Sequence, residues 1–169
     1  ARGSRGDAAA LTFTFGGDAD RGRALANGEL RRQMGLKLRA QDSCNVVYVM
    51  WRLDPKPKLE VSVKANPGKR THEECGADGY TKIRPARSHA LPPLEVGSTH
   101  TLRAEIVGDD LHAWVDGALV WTGTLPAEAR SISGPAGLRS DNINLDGLAL
   151  SAPHSSAAAT ECKKTEHDD

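Results

Sequence analysis

The sequence has no long apolar run, no excess of charge of either sign, and few aromatic residues: two Phe, two Tyr and three Trp among 169 residues. No stretch approaches the roughly 18 apolar residues that a membrane-spanning helix needs. Lys and Arg number 22 and Asp and Glu number 22, so the basic excess typical of a nucleic-acid binder is missing. The Arg31-Arg32 pair is too short for a phosphate site and reads as a solvated face. The three cysteines, Cys44, Cys75 and Cys162, include no CxxC pair, and a zinc site therefore lacks its usual spacing. The tripeptide Arg5-Gly6-Asp7 matches a cell-adhesion signal, but chance accounts for it in an arm rich in Arg and Gly. No secretory leader is visible and the first residue is Ala1, so the chain reads as a mature or trimmed form. Frequent Ala, Arg and Gly suggest a GC-rich bacterial source.

What is present is alternation with period two. Leu11, Phe13 and Phe15 oppose Thr12 and Thr14. Met34, Leu36 and Leu38 oppose Lys37 and Arg39. Leu59, Val61 and Val63 oppose Glu60, Ser62 and Lys64, and Leu102, Ala104 and Ile106 oppose Arg103 and Glu105. Each stretch reads as a half-buried antiparallel strand. The stretch from Asn45 to Leu53 is apolar on both faces, as expected of a central strand. Turn signals separate these runs: Asp54 to Lys58 with its two prolines, Gly108 to Asp110, and Asp116-Gly117, the dipeptide of a type I′ hairpin. Residues 66–93 are rich in loop signals, with one short strand near Tyr80 to Ile83. Many short strands and scarce helical periodicity predict an all-β fold, a two-sheet antiparallel β-sandwich of jelly-roll type. The expected layout is an N-terminal arm (1–10), a jelly-roll domain (11–152) and a polar C-terminal tail (153–169).

Cys44 and Cys75 flank a predicted strand pair and read as a disulfide of an exported protein; two reduced, packed thiols are the alternative. Cys162 is then the odd thiol, free or paired with another chain. In the hairpin around Asp116-Gly117, simple two-residue-loop register puts Leu111, Ala113, Val115, Ala118 and Val120 on one face. His112, Trp114, Leu119 and Trp121 fall on the other. That second face is either a platform on which a sugar stacks, with Trp114, Trp121 and His112 binding the ligand, or a minor core sealed under the 66–93 loop. Asp141, Asn142, Asn144 and Asp146, with Asp18 and Asp20, offer oxygens for calcium; capping of turns is the alternative.

The segments THTLRAEIVGDDLHAWVDGALVWTG (99–123) and GPAGLRSDNINLDGLAL (134–150) resemble the concanavalin A-like lectin/glucanase superfamily, in its laminin-G-like branch. The resemblance implies that the first strand, near Leu11 to Phe15, lies beside the last, near Leu145 to Leu150. It also implies a repertoire of lectin-like binders, accessory modules of enzymes and structural domains, often with one calcium at a loop end. The superfamily's glucanases place clustered carboxylates (E-x-D-x-x-E) on one strand, and this chain has no such cluster. Glu73 and Glu74 are adjacent, THEEC lacks the second histidine of a zinc-protease helix, and no G-x-S-x-G occurs.

The sequence therefore reads as a non-catalytic, lectin-like module of an exported bacterial protein, secreted or in the cell envelope. Its expected partner is a glycan or another cell-surface polymer, with no nucleic acid and no membrane span. A structural calcium is the one cofactor considered. A structural or assembly subunit that self-associates through the same fold is the alternative. An enzyme acting on glycosides, such as a hydrolase of modified disaccharides on this fold, is the third reading.

Overall fold

The computed structural model describes residues 5–153. It contains eleven strands: β1 (Ala8–Asp18), β2 (Gln33–Asp42), β3 (Asn45–Arg52), β4 (Lys58–Lys64), β5 (Tyr80–Lys82), β6 (Arg87–Ser88), β7 (Thr99–Val107), β8 (Asp110–Val115), β9 (Ala118–Thr124), β10 (Gly137–Asp141) and β11 (Ile143–Ser151). One helical turn, α1 (His72–Cys75), lies in the loop-rich segment, and a 3₁₀ turn spans Ala127–Ser131. The strands form two antiparallel sheets, ordered β11-β1-β7-β8-β9-β6 and β10-β2-β3-β4-β5. The fold is the expected antiparallel β-sandwich, and β1 pairs with β11 through Leu11↔Leu150 and Phe15↔Leu145.

The alternation decides which side of each strand is buried. Leu11, Phe13, Phe15, Leu102, Ala104, Leu111 and Ala113 line the inner face of the six-stranded sheet. Met34, Leu36, Leu38, Val47, Val49, Trp51, Val61 and Val63 line that of the five-stranded sheet, and together they make one core. Phe13 meets Trp51 edge-on at 5.9 Å, joining the sheets at the centre. β1 begins at Ala8, so it takes in the last three residues of the expected arm. The expected tail, with Cys162, lies outside the described residues apart from Pro153.

The two strongest local expectations meet the structure directly. Asp116 and Gly117 both have positive φ, 51° and 85°, as a type I′ turn requires. Cys44 and Cys75 are bonded, with Cα atoms 5.9 Å apart. The bond ties the start of β3 to the end of α1. That turn is also fixed at its other end, where the Glu74 carboxylate accepts hydrogen bonds from the backbone N–H of Arg70 (2.7 Å) and Thr71 (2.9 Å). These backbone bonds hold the Glu74 carboxyl below its ordinary pKa.

The expected facing of the Trp hairpin is corrected. Val115↔Ala118 and Trp114↔Leu119 pair as a two-residue loop dictates, but a bulge follows and Ala113, not His112, faces Trp121. The extra residue is Val120, and the slip turns Trp121 into the core, where it is 1% exposed. Val120 and Trp121 are adjacent and both buried, which strict alternation cannot deliver. Gly123 makes room: a Cβ there would collide with the indole of Trp121.

Candidate functional site

β3 is the middle strand of its sheet, and its outward row is apolar too. Val46, Tyr48 and Met50 form a separate buried cluster with Ala40 on the outer face. Tyr48 and Met50 of this row floor a trough of about 350 Å³ lined by Gln33, Arg52, Glu60, Ser62, Tyr80, Lys82 and Arg139, the lower end of the roughly 300–1,000 Å³ range of ligand pockets. Loop residues Leu25 to Asn27 and Arg31 close one side, and Gly76 and Ala77 after α1 close another.

Two aromatic rings form part of the trough wall. Tyr48 and Tyr80 stack with centroids 6.1 Å apart and planes inclined by 25°. Arg139 lies 5.1 Å over Tyr48, and the Lys64 Nζ lies 5.1 Å from the Tyr80 centroid. Tyr80 sits on the edge strand and is 44% exposed, so part of the ring is open to a ligand. Lys64 is buried, and its ammonium donates to the Gly76 carbonyl at 2.7 Å, holding the chain after α1 against the trough.

The polar groups form two ionic clusters. Glu60 accepts from Arg52 Nη1 at 2.9 Å and pairs with Lys82 Nζ at 3.0 Å. Burial works against its charge, but the Lys82 and Arg52 hydrogen bonds outweigh burial and hold the carboxyl below its ordinary value. Glu29 bridges Arg31 Nη2 (2.7 Å) and Arg52 Nη2 (3.1 Å). The Arg31 hydrogen bond in turn lowers the Glu29 pKa, and the Glu29 bond raises that of Arg31. At the other end Arg139 Nε donates to Asp141 at 3.0 Å, and Gln33 Nε2 donates to the same oxygen at 2.7 Å. Burial disfavours the Arg139 charge, yet Asp141 and the two tyrosines more than offset it and raise its pKa.

The proposed calcium ligands go to separate tasks. Asp141 orients Arg139 and Gln33. Asn142, at φ 59°, donates to the carbonyls of Arg23 (2.8 Å) and Arg31 (2.7 Å) and so pins the loop that brings Arg31 to the trough. Asn144 donates to the Asp18 carbonyl at 3.1 Å, and Asp146 lies against Gly16. Among the described residues no three His, Cys, Asp or Glu groups cluster as a metal site.

The expected Trp platform is corrected as well. Trp121 is inside. Trp114 remains on the outer face of the six-stranded sheet, but the Arg103 guanidinium lies 3.9 Å over its ring and His112 stacks beside it at 6.0 Å. The arginine covers one face of the indole. A second cavity of about 350 Å³, lined by Phe15, Leu53, Pro93 and Val96 among others, has its arginine already committed: Arg32 pairs with Asp18 (2.7 Å) and Asp54 (2.6 Å).

A jelly-roll sandwich whose five-stranded sheet carries an open, polar trough belongs to the lectin-like β-sandwich class in architecture. The chain is similar to the carbohydrate binding module CBM66 from Bacillus subtilis, with a TM-score of 0.57 and 14% identity over 88% of this chain and 78% of that one. It is also similar to a tetrameric galectin from the ball sponge Cinachyrella sp., with a TM-score of 0.53 and 15% identity over 91% of this chain and 96% of that one. A GH43 protein from Bacillus licheniformis aligns with a TM-score of 0.50 and 11% identity over 86% of this chain but 27% of its own length. No family model and no curated protein matches the sequence.

Proposed function

We propose that this chain is a non-catalytic carbohydrate-binding module of an exported protein, of the laminin-G-like kind, and that the trough on its five-stranded sheet holds the sugar. The carrying observation is the Tyr48–Tyr80 wall beside ordered donors and acceptors on one open sheet face. A pyranose needs an aromatic surface for its C–H face and fixed polar groups for its hydroxyls. Both solved structures named above with the higher scores are, by their descriptions, a carbohydrate binding module and a galectin, which supports the reading. The disulfide supports export.

The charge state of the trough supports binding over hydrolysis. A glycosidase acid needs a raised pKa so that it carries a proton at neutral pH. Glu60, the carboxylate that lines the trough, is instead held below its ordinary pKa by its cations.

A glycan array followed by calorimetry tests this. Tyr80→Ala should remove binding of whichever glycan the wild type retains, and Trp114→Ala should leave it intact. The reverse pattern would move the site to the β8–β9 hairpin. No binding to any glycan, with self-association in sedimentation, would favour the assembly-subunit reading.

A further inference from the structure

The charges around the trough do not balance. Glu60 faces four cations: Arg52 at 2.9 Å, Lys82 at 3.0 Å, Arg31 at 3.6 Å and Lys58 at 3.7 Å. Glu29 provides a second carboxylate, but it shares two of the same partners, Arg31 and Arg52. Four cations against two carboxylates leave a local excess of two positive charges. Arg139 does not offset it, being matched one for one by Asp141. The chain as a whole is neutral, 22 cations to 22 anions, so the excess belongs to this place.

The hydrogen-bond inventory points the same way. Two guanidiniums and two ammoniums carry roughly sixteen N–H donors, whereas two carboxylates offer about eight lone-pair sites. Lys82 is the cation best placed to reach a ligand, its side chain being 63% exposed. It lies two residues from Tyr80 on edge strand β5, so ring and ammonium share one face.

We infer that the sugar held in the trough is acidic, bearing an anionic oxygen substituent, a carboxylate or a sulfate ester, beside Lys82 and Arg31 while its ring lies on Tyr80. This rests on the carbohydrate reading above and deepens it. An anionic substituent supplies the acceptors and the charge that the four cations lack. Charge-assisted hydrogen bonds are the strong ones, and an acidic ligand is therefore selected over its neutral counterpart.

The test uses the whole chain on an array displaying uronate-containing, sulfated and neutral glycans. Calorimetry follows on an oligogalacturonate, its carboxyl-reduced counterpart and a heparin-derived oligosaccharide. We expect hits among acidic glycans, with affinity about tenfold or more above that of the reduced counterpart, the scale of one charge-assisted hydrogen bond. Added salt should shrink the gap. Lys82→Met, at an exposed position that melting will show to be folded, should remove the preference. Preference for the uronate assigns a carboxylate; preference for the heparin fragment assigns a sulfate. Equal binding of neutral and acidic glycans, unchanged in Lys82→Met, would overturn the inference and leave the carbohydrate reading standing. Binding to no glycan at all would overturn both.

Discussion

Arg52 and Glu60 meet at 2.9 Å diagonally across β3 and β4, and the two side chains are only 12% and 11% exposed. An enclosed pair of this kind is costly to break one partner at a time, because the survivor keeps its charge without its counter-ion. Here Lys82, Lys58 and Arg31 also depend on the same carboxylate.

Glu60 therefore gives the protein an acid-sensitive element. Its folded pKa lies below the ordinary value of 4.5. Its stabilising contribution is full above 4.5 and is lost as pH falls through the lower, folded value. Glu29, lowered by the Arg31 hydrogen bond, adds to the same limb. Glu60→Gln should lower stability at neutral pH by about 1–2 kcal/mol, less than for a fully buried pair because solvent reaches the rim. It should also flatten the fall in stability below pH 4.5. Urea melts across a pH series check both; an acid limb identical to wild type would show that Glu60 is not its source.

At the β8–β9 turn, Gly117→Val should destabilise more than Asp116→Asn. Gly117 sits at φ 85°, where a β-branched residue is strained. Asn tolerates the φ of 51° at position 116. It also keeps an oxygen for the Thr101 N–H, which donates to Asp116 at 2.8 Å. The expected difference is about 1–2 kcal/mol. Equal melting midpoints would contradict the turn assignment.

The Cys44–Cys75 bond closes a loop with a sequence separation of 31, worth about 3–4 kcal/mol by loop entropy. Alkylation without reductant should label one thiol per chain, Cys162, read by intact mass. Three labelled thiols would show the bond absent in the native protein. Reduction should also weaken ligand binding, because Gly76 and Ala77 beside Cys75 line the trough.

The fold was legible because alternation needs only local sequence: the Leu11–Phe15, Leu59–Val63 and Leu102–Ile106 rows all point inward as expected. The site was hidden for two physical reasons. It is assembled by register, as where Gln33 reaches Asp141 across a separation of 108 residues, and alternation does not say which strands are neighbours. The one signal available was the double-sided apolarity of β3. It marks a central strand, but the outward Tyr48 and Met50 also needed a cover of charged side chains to be read as a trough floor. The Trp hairpin misled because a single extra residue, Val120, reverses the facing of everything after it.

The two hairpin tryptophans should separate cleanly on mutation. Trp121 is enclosed and packed onto Gly123, so Trp121→Ala opens a core cavity and should cost about 3–5 kcal/mol. Trp114 is partly exposed, and its main specific partner is the Arg103 guanidinium at 3.9 Å. Trp114→Ala should lose roughly that cation–π contact, about 0.5–1 kcal/mol at an exposed site. Denaturant midpoints of the two variants measure the gap. Ligand titration of the Trp114→Ala protein adds the functional arm, since the trough lies on the opposite sheet and its Tyr48–Tyr80 wall is untouched. A small stability loss with unchanged binding fits this geometry. A folded Trp114→Ala protein that no longer binds its glycan would place the sugar on the six-stranded sheet and refute the trough.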